Sequence, residues 1–356
     1  MIPVAKPYID EREIEAVSSV LRSGILAQGS QVLQFEKMIS SLCRGAQAIA
    51  VSNGTAALDL ALKIAGISEG DEVITTPFTF VSTANAILMQ GAIPVFVDID
   101  SETFSIDPEK IKNAITKKTK AILPVDLYGQ TYQFEPVREL AAENDLTIVE
   151  DACQAIGATH NGKPAGTLGE LGTFSMYATK NITSAEGGMI VTSNNEFARI
   201  ARLLRNQGQY ERYKYSVLGY NFRLTEVQAA IGVVQMSKLD EIVTKRQKIA
   251  RLYDTAFKQI SWLRTPILGK NNNHVYHQYT LVIRNRDDFA KHLANKGIGY
   301  GIYYPKALYD YPHLKPFTSF CPVAERIAQE VISLPIYPSL SESDQQEVID
   351  AVTSFS

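Results

Sequence analysis

From residue 48 to residue 192 the chain alternates between apolar runs of strand length and amphipathic stretches of helix length, and this rhythm restricts the fold more than any other feature. Apolar runs at about 48–51, 73–76, 94–98 and 121–125 are separated by helical stretches at 56–65, 81–90, 108–115 and 134–143. Strand and helix in repeated order predict right-handed crossovers in a mostly parallel sheet, an α/β fold. Two further strands are expected at about 172–177 and 188–192.

The ends of these strands carry the polar residues of interest. Ala48-Ile49-Ala50-Val51 runs into the tight turn Ser52-Asn53-Gly54-Thr55 and then into a helix. Such a helix start points free backbone N–H groups at an anion, with the Thr55 hydroxyl beside them. A second run, Leu146-Thr147-Ile148-Val149-Glu150, ends on Asp151, and a third leads through Ser175 to Lys180. An amine at a strand-to-loop junction, with a carboxylate at the end of a neighbouring strand, is what a pyridoxal phosphate enzyme needs. The amine forms the covalent link and the carboxylate holds the pyridine nitrogen protonated. Each piece has a plainer reading, since lysines often follow strands and Ser-Asn-Gly-Thr is an ordinary helix cap. Their order, each at a strand end on one alternating framework, favours the site.

Upstream, Asp10 and Glu13 form the pattern of a capping box for a helix to about Leu21, and a second helix follows the loop from Gly24 to Gly29. Downstream, Leu224 to Phe257 reads as a long helix with a break near Lys238-Leu239-Asp240. It is expected to bridge a large cofactor domain, residues 1–240, to a smaller C-terminal α+β domain, residues 241–356. The smaller domain should hold strands near 278–284 and 298–303, helices near 287–296 and 322–333, and a last helix beginning at Ser341 or Ser343. Asn271-Asn272-Asn273 reads as a surface loop.

The 356 residues, 45% hydrophobic and 21% charged, can bury a sizeable core. A net charge of −3 with dispersed Lys and Arg supplies no basic field for nucleic acid. Cys43, Cys153 and Cys321 lack metal-ligand spacing and suggest neither a disulfide framework nor a metal site. No run reaches the length of a membrane span and no signal peptide is evident, so the expected location is the cytoplasm. The five histidines make no triad or metal pair.

A series of motifs carries a resemblance. It comprises Gln28-Gly29, Ser52-Asn53-Gly54-Thr55-Ala56-Ala57-Leu58, Gly70-Asp71-Glu72-Val73, Val97-Asp98-Ile99-Asp100, Leu127-Tyr128-Gly129-Gln130, Glu150-Asp151-Ala152-Cys153-Gln154, the Lys180 segment, and Gly219-Tyr220-Asn221-Phe222-Arg223-Leu224-Thr225-Glu226. In this order the chain resembles, over almost its whole length, the DegT/DnrJ/StrS-type sugar aminotransferases, fold-type-I pyridoxal phosphate enzymes.

The resemblance implies that Lys180 and Asp151 are catalytic, that Gly54, Thr55 and Ser175 hold the cofactor's phosphate, that Gln154 reaches the ring hydroxyl and that Phe80 stacks on the ring. From the residues alone, Phe80 reads as core packing. Asn221 resembles the residue that family members send across a dimer interface to the neighbouring subunit's phosphate, which implies a homodimer. Arg223 has two readings, a salt bridge at a helix start or an anchor for substrate and interface. His313 falls in a stretch resembling the family's substrate-facing segment.

Lysine at position 180, where dehydrating relatives carry histidine, implies aminotransfer. The implied acceptor is a keto sugar on a nucleoside diphosphate, the implied donor L-glutamate. The Tyr220-Asn221-Phe222-Arg223 stretch looks more like members that work at C-4 than at C-3, although Leu224 stands where those often carry methionine. Two alternatives remain open: another fold-type-I enzyme, such as a lyase, decarboxylase or desulfurase, and a non-catalytic regulator on the same scaffold.

Overall fold

The computed structural model describes residues 1–355. The N-terminal helices are α1 (Glu11–Ser23) and α2 (Ser30–Leu42), followed by β1 (Gln47–Val51), α3 (Gly54–Ile64), β2 (Glu72–Thr75), α4 (Ser82–Met89), β3 (Ile93–Phe96), α5 (Pro108–Ala114), β4 (Thr119–Ile122), α6 (Phe134–Glu143) and β5 (Thr147–Asp151). A small hairpin, β6 (Thr159–His160) and β7 (Lys163–Pro164), precedes β8 (Leu171–Ser175), β9 (Gly188–Thr192) and α7 (Asn195–Arg205). A second hairpin, β10 (Gln209–Glu211) and β11 (Lys214–Tyr215), leads to α8 (Glu226–Ser237) and α9 (Leu239–Phe257).

The main sheet has seven strands in the order β1-β9-β8-β5-β4-β2-β3, in which only β9 runs against its neighbours. The expected mostly parallel α/β sheet is present. Its strands are apolar on both faces because both faces are covered. On one side Ile49, Val51, Val149 and Ile190 pack with α3 and with Ala198, Ala201 and Leu204 of α7. On the other, Ala48, Ala50, Phe174 and Met189 pack under α2 and α8, and Ile122 and Ile148 pack under α6.

Local chemistry fixes the helix ends. The Asp10–Glu13 capping box is formed, and α1 stops at Gly24, whose φ of 72° favours glycine. The break in the long helix falls at Lys238, whose wholly buried side chain pairs with Glu13 at 2.6 Å and Asp10 at 2.9 Å. Glu226, at the first turn of α8, accepts the free N–H groups of Gly29, Gln31 and Val32 at the start of α2.

The smaller C-terminal domain contains β12 (Leu263–Arg264), β14 (Tyr279–Ile283), α10 (Arg286–Asn295), α11 (Pro322–Glu330), β15 (Val331–Leu334) and α12 (Glu342–Thr353), with the short β13 (Asn272–Asn273) between the first two. Ile2 packs into its core beside Tyr253, Tyr279 and Ile332. Another cluster joins Phe78, Phe96 and Tyr128 of the large domain to Leu308, Tyr309 and Ile327. Ser341 caps the last helix. No helix is long and apolar enough to cross a membrane among the described residues.

Three expectations fail here. The helix expected over 322–333 ends at Glu330, and Val331–Leu334 is a strand antiparallel to β14. Residues 298–303 make only isolated bridges, Ile2 to Ile298 and Gly301 to Ser333. The backbone there is engaged with the N-terminal segment instead: the Ile2 N–H donates to the Gly297 carbonyl at 2.9 Å and the Gly299 N–H to the Ile2 carbonyl at 2.7 Å. Asn271-Asn272-Asn273 is no free loop, because β13 pairs with β6 and the Asn272 amide donates to the Thr131 carbonyl at 2.7 Å.

Candidate active site

The loop between β8 and β9 carries Lys180. Its backbone is pinned by Met176 N–H to the Gly187 carbonyl and Lys180 N–H to the Tyr177 carbonyl, each 2.9 Å, while the Asn181 amide donates to the Val275 carbonyl. Lys180 is therefore held on a braced turn beside β5, whose last residue is Asp151. The Lys180 side chain is half-buried with no carboxylate within 4.0 Å of its Nζ among the described residues. Burial lowers its pKa from the ordinary 10.5, opposed by the nearby Cys153 and Asp151.

Asp151 is buried, and its Oδ2 accepts from Thr83 Oγ1 at 2.8 Å while Oδ1 accepts the Cys153 N–H at 3.2 Å. Strand alternation turns Glu150 to the opposite face. The third component is the start of α3. Asn53 caps it by accepting from Ala56 N–H at 2.9 Å, and the first N–H groups of the helix have no partner within it. Thr55 Oγ1 lies 2.8 Å from Ser82 Oγ. A Cβ on Gly54 would stand 2.8 Å from the Cβ of Ser175, so glycine here lets Ser175 close on the helix start.

These parts line one cavity of about 750 Å³. Gly54, Thr55, Phe80, Asp151, Gln154, Ser175 and Lys180 all border it, so seven of the eight expected site residues come together within one chain. Asn221 does not. It is exposed, outside the cavity, in an isolated bridge with Asn206. Phe80 overturns the core-packing reading: it is 54% exposed, its ring 6.1 Å from that of Tyr304 at the cavity wall. Gln154 takes the Tyr128 N–H at 3.0 Å and donates to the Tyr304 hydroxyl at 3.2 Å. Arg223 makes no salt bridge among the described residues; it donates to Asn206 Oδ1 at 2.7 Å. His313 lies at the surface, 3.0 Å from Asn85 Oδ1.

The sequence reading gave no site role to Thr83 or His277, which also border the cavity, while Tyr303 and Tyr304 of its wall belong to the stretch around His313 that resembles the family's substrate-facing segment. His277 is buried, its Nδ1 without a partner, and burial together with the charges of Lys180 and Arg246 pushes its pKa well below the ordinary range. Both effects favour its neutral form. The motif positions flanking Lys180 and Asp151 could not reveal Thr83 and His277, which arrive from α4 and from the C-terminal domain.

The donor set fits pyridoxal phosphate. An amine biased toward its neutral form suits attack on an aldehyde, Asp151 suits a pyridinium N–H, and a glycine-shaped helix start with hydroxyls from Thr55 and Ser175 suits a phosphate. Lys180 is the one lysine or arginine lining the cavity among the described residues. Mixed sheet, smaller C-terminal domain and lysine-bearing loop define a fold-type-I pyridoxal phosphate transferase. The chain belongs to the DegT/DnrJ/EryC1/StrS aminotransferase family, whose model matches residues 7–353.

Three similarities place it further. A "Pleiotropic regulatory protein" of Geobacillus stearothermophilus is 41% identical, over 96% of this chain and 94% of the relative. A GDP-perosamine synthase of Caulobacter vibrioides is 37% identical, over 99% and 97% of the two chains. The solved structure of S. venezuelae DesV superposes with a TM-score of 0.94 at 34% identity, covering 98% of each chain.

Proposed function

We propose that this aminotransferase moves an amino group from L-glutamate to a keto sugar linked to a nucleoside diphosphate, at C-4 rather than C-3, in amino-sugar biosynthesis for a surface polysaccharide or a natural product. The observation that carries this reading is the convergence of Lys180, Asp151 and the α3 helix start on one cavity. Similarity to a GDP-perosamine synthase supports a nucleotide sugar as the acceptor. The Tyr220-Asn221-Phe222-Arg223 stretch supports C-4.

Bound pyridoxal phosphate would supply an electron sink for the carbon that carries the amine. Lys180 Nζ would take the proton from that carbon and return it on the other side of the exchange. Asp151 would hold a negative charge against the ring nitrogen, oriented by the Thr83 hydroxyl. Gly54, Thr55 and Ser175 would hold the phosphate, Gln154 the ring hydroxyl, and Phe80 the ring face. Asn221 would complete the phosphate site of a second subunit, which makes a homodimer the functional unit.

The similarity to a protein named as a regulator supports the competing reading of a non-catalytic scaffold. Visible absorption of the protein with pyridoxal phosphate, before and after L-glutamate, separates the readings. A lysine-linked band that is lost with glutamate and absent from Lys180→Ala is expected. An unchanged band would exclude glutamate as donor, and no band at all would favour the scaffold. NMR of the aminated sugar then distinguishes C-4 from C-3.

A further inference from the structure

Behind the sheet, on the side away from the cavity, two carboxyl groups meet without a cation. Asp126 and Glu150 are both fully buried, and no lysine, arginine or histidine lies within 4.0 Å of either among the described residues. Glu150 is held on both oxygens, Oε1 accepting the Gly166 N–H and Oε2 the Leu168 N–H, each at 2.7 Å, which leaves lone pairs for a further donor. Asp126 Oδ1 accepts the Tyr132 N–H at 3.0 Å, whereas Oδ2 has no donor among the described residues, and the Asp126 and Glu150 side chains are within hydrogen-bonding reach of each other. Asp151, the Tyr132 hydroxyl and the Cys43 thiol also face the pair and none of these is a cation; Arg138 acts on Tyr132, with Glu170 opposing it.

Two touching carboxylates in a dry interior cannot both remain ionised; one keeps its proton. Glu150 already receives N–H donors on both oxygens, an arrangement that favours its charged form. Asp126 has the one unpartnered oxygen. We propose that Asp126 is a protonated carboxylic acid in the working protein, donating its proton to Glu150, and that this buried pair positions Asp151 from behind the sheet. Burial and the Glu150 charge both push the Asp126 carboxyl well above the usual range, in agreement with the geometry.

The coupling to the site is through the backbone. Asp126 N–H donates to the Asp151 carbonyl at 3.0 Å, and Asp151 N–H donates to the Pro124 carbonyl at 3.0 Å. Glu150 is the residue before Asp151 and holds the 166–168 turn against β5. The shared proton thus joins the ends of β4 and β5 where the Asp151 side chain leaves the strand. Asp126 touches neither cofactor nor substrate, so it is a positioning residue.

Infrared spectra of the protein at neutral pH, taken as the difference between the parent and Asp126→Asn with the cofactor state held the same, test this. A protonated-carboxyl C=O band that shifts in D2O and disappears in Asp126→Asn is expected. The amide in that variant reproduces the donor to Glu150 and the acceptor for Tyr132, so its melting temperature and cofactor affinity should stay close to those of the parent. Asp126→Ala, which removes both, should weaken cofactor binding by about tenfold or more, the scale seen when an orienting partner is lost. Absence of the band in the parent protein would overturn the inference. So would a band that survives Asp126→Asn and is lost in Glu150→Gln, or an Asn variant as impaired as Ala. The part concerning Asp151 rests on the function proposed above, but the infrared band does not, so the two can fail separately.

Discussion

Thr83 Oγ1 donates a hydrogen bond of 2.8 Å to Asp151 Oδ2, joining the first turn of α4 to the end of β5 inside the cavity wall. Both residues are buried, so water is a poor substitute for the hydroxyl. Thr83→Val keeps the shape and removes the donor, leaving a buried carboxylate oxygen short of a partner. A hydrogen bond to a charged group contributes about 1.5–3 kcal/mol. The variant should bind pyridoxal phosphate about tenfold or more weakly, with its fold intact, and Thr83→Ser should recover most of the loss. Titration of the cofactor by absorption measures both. Equal affinity in the Val variant would show that Asp151 does not depend on α4 for its orientation.

Lys180 leads to a pH prediction. Its pKa is lowered by burial, with Cys153 and Asp151 pulling the other way. A depressed lysine binds fewer protons in the folded than in the unfolded chain, so its contribution to stability is present above 10.5 and diminishes as pH falls toward and past the folded value. For chemistry the sign is favourable: more neutral amine is present at neutral pH than on a free lysine. The rate at which the cofactor-free protein forms its visible band should rise with pH and level off below pH 10.5. Stopped-flow absorption from neutral to alkaline pH reads the midpoint. Lys180→Ala should give no such band at any pH.

Two glycines shape the phosphate cradle, and they should respond differently to a methyl group. At Gly54 a Cβ would meet the Ser175 Cβ at 2.8 Å, an atom fixed to the β8 backbone, so relief takes a small shift of α3 against β8. At Gly188 it would meet the Asn53 carbonyl oxygen at 2.2 Å, which is backbone and cannot swing aside. Overpacking typically costs about 1–3 kcal/mol. Gly54→Ala should fold and lose cofactor affinity, while Gly188→Ala should lower the thermal midpoint as well. Calorimetry alongside cofactor titration separates the two, and an unaffected Gly54→Ala would place the phosphate elsewhere.

Legibility in the sequence followed the range of the interactions. Lys180, Asp151 and the Asn53-Gly54-Thr55 turn were readable because each sits at the end of its own apolar strand, a local pattern. Thr83 and His277 were not, since they reach the cavity only after α4 and the C-terminal domain have packed. The missed strand has a similar cause. Ala324, Ile327, Ala328 and Val331 follow a helical stripe, and nothing local reveals that Val331–Leu334 will find Tyr279–Val282 as a pairing partner. For Phe80 the residue type alone pointed to the core, where an aromatic side chain usually belongs, and only the motif resemblance pointed to the cavity mouth where it stands.

Asn221 supplies the sharpest test of subunit cooperation. Within its own chain it lies outside the cavity and is exposed, while the next residue, Phe222, lines the wall. If Asn221 serves a second subunit, Asn221→Ala and Lys180→Ala should each depress turnover as homodimers, yet a mixed dimer should recover activity. In that dimer the site on the Asn221→Ala subunit keeps its own Lys180 and receives Asn221 from its neighbour, and the other site collects both defects. Co-expression with two affinity tags isolates the mixed species, and turnover of about half the parent value per dimer is expected on this geometry. If Asn221 acts only within its own chain, the mixed dimer combines two impaired sites and stays near the average of the two homodimers. The readout therefore distinguishes a shared site from a private one without any knowledge of which sugar is the acceptor.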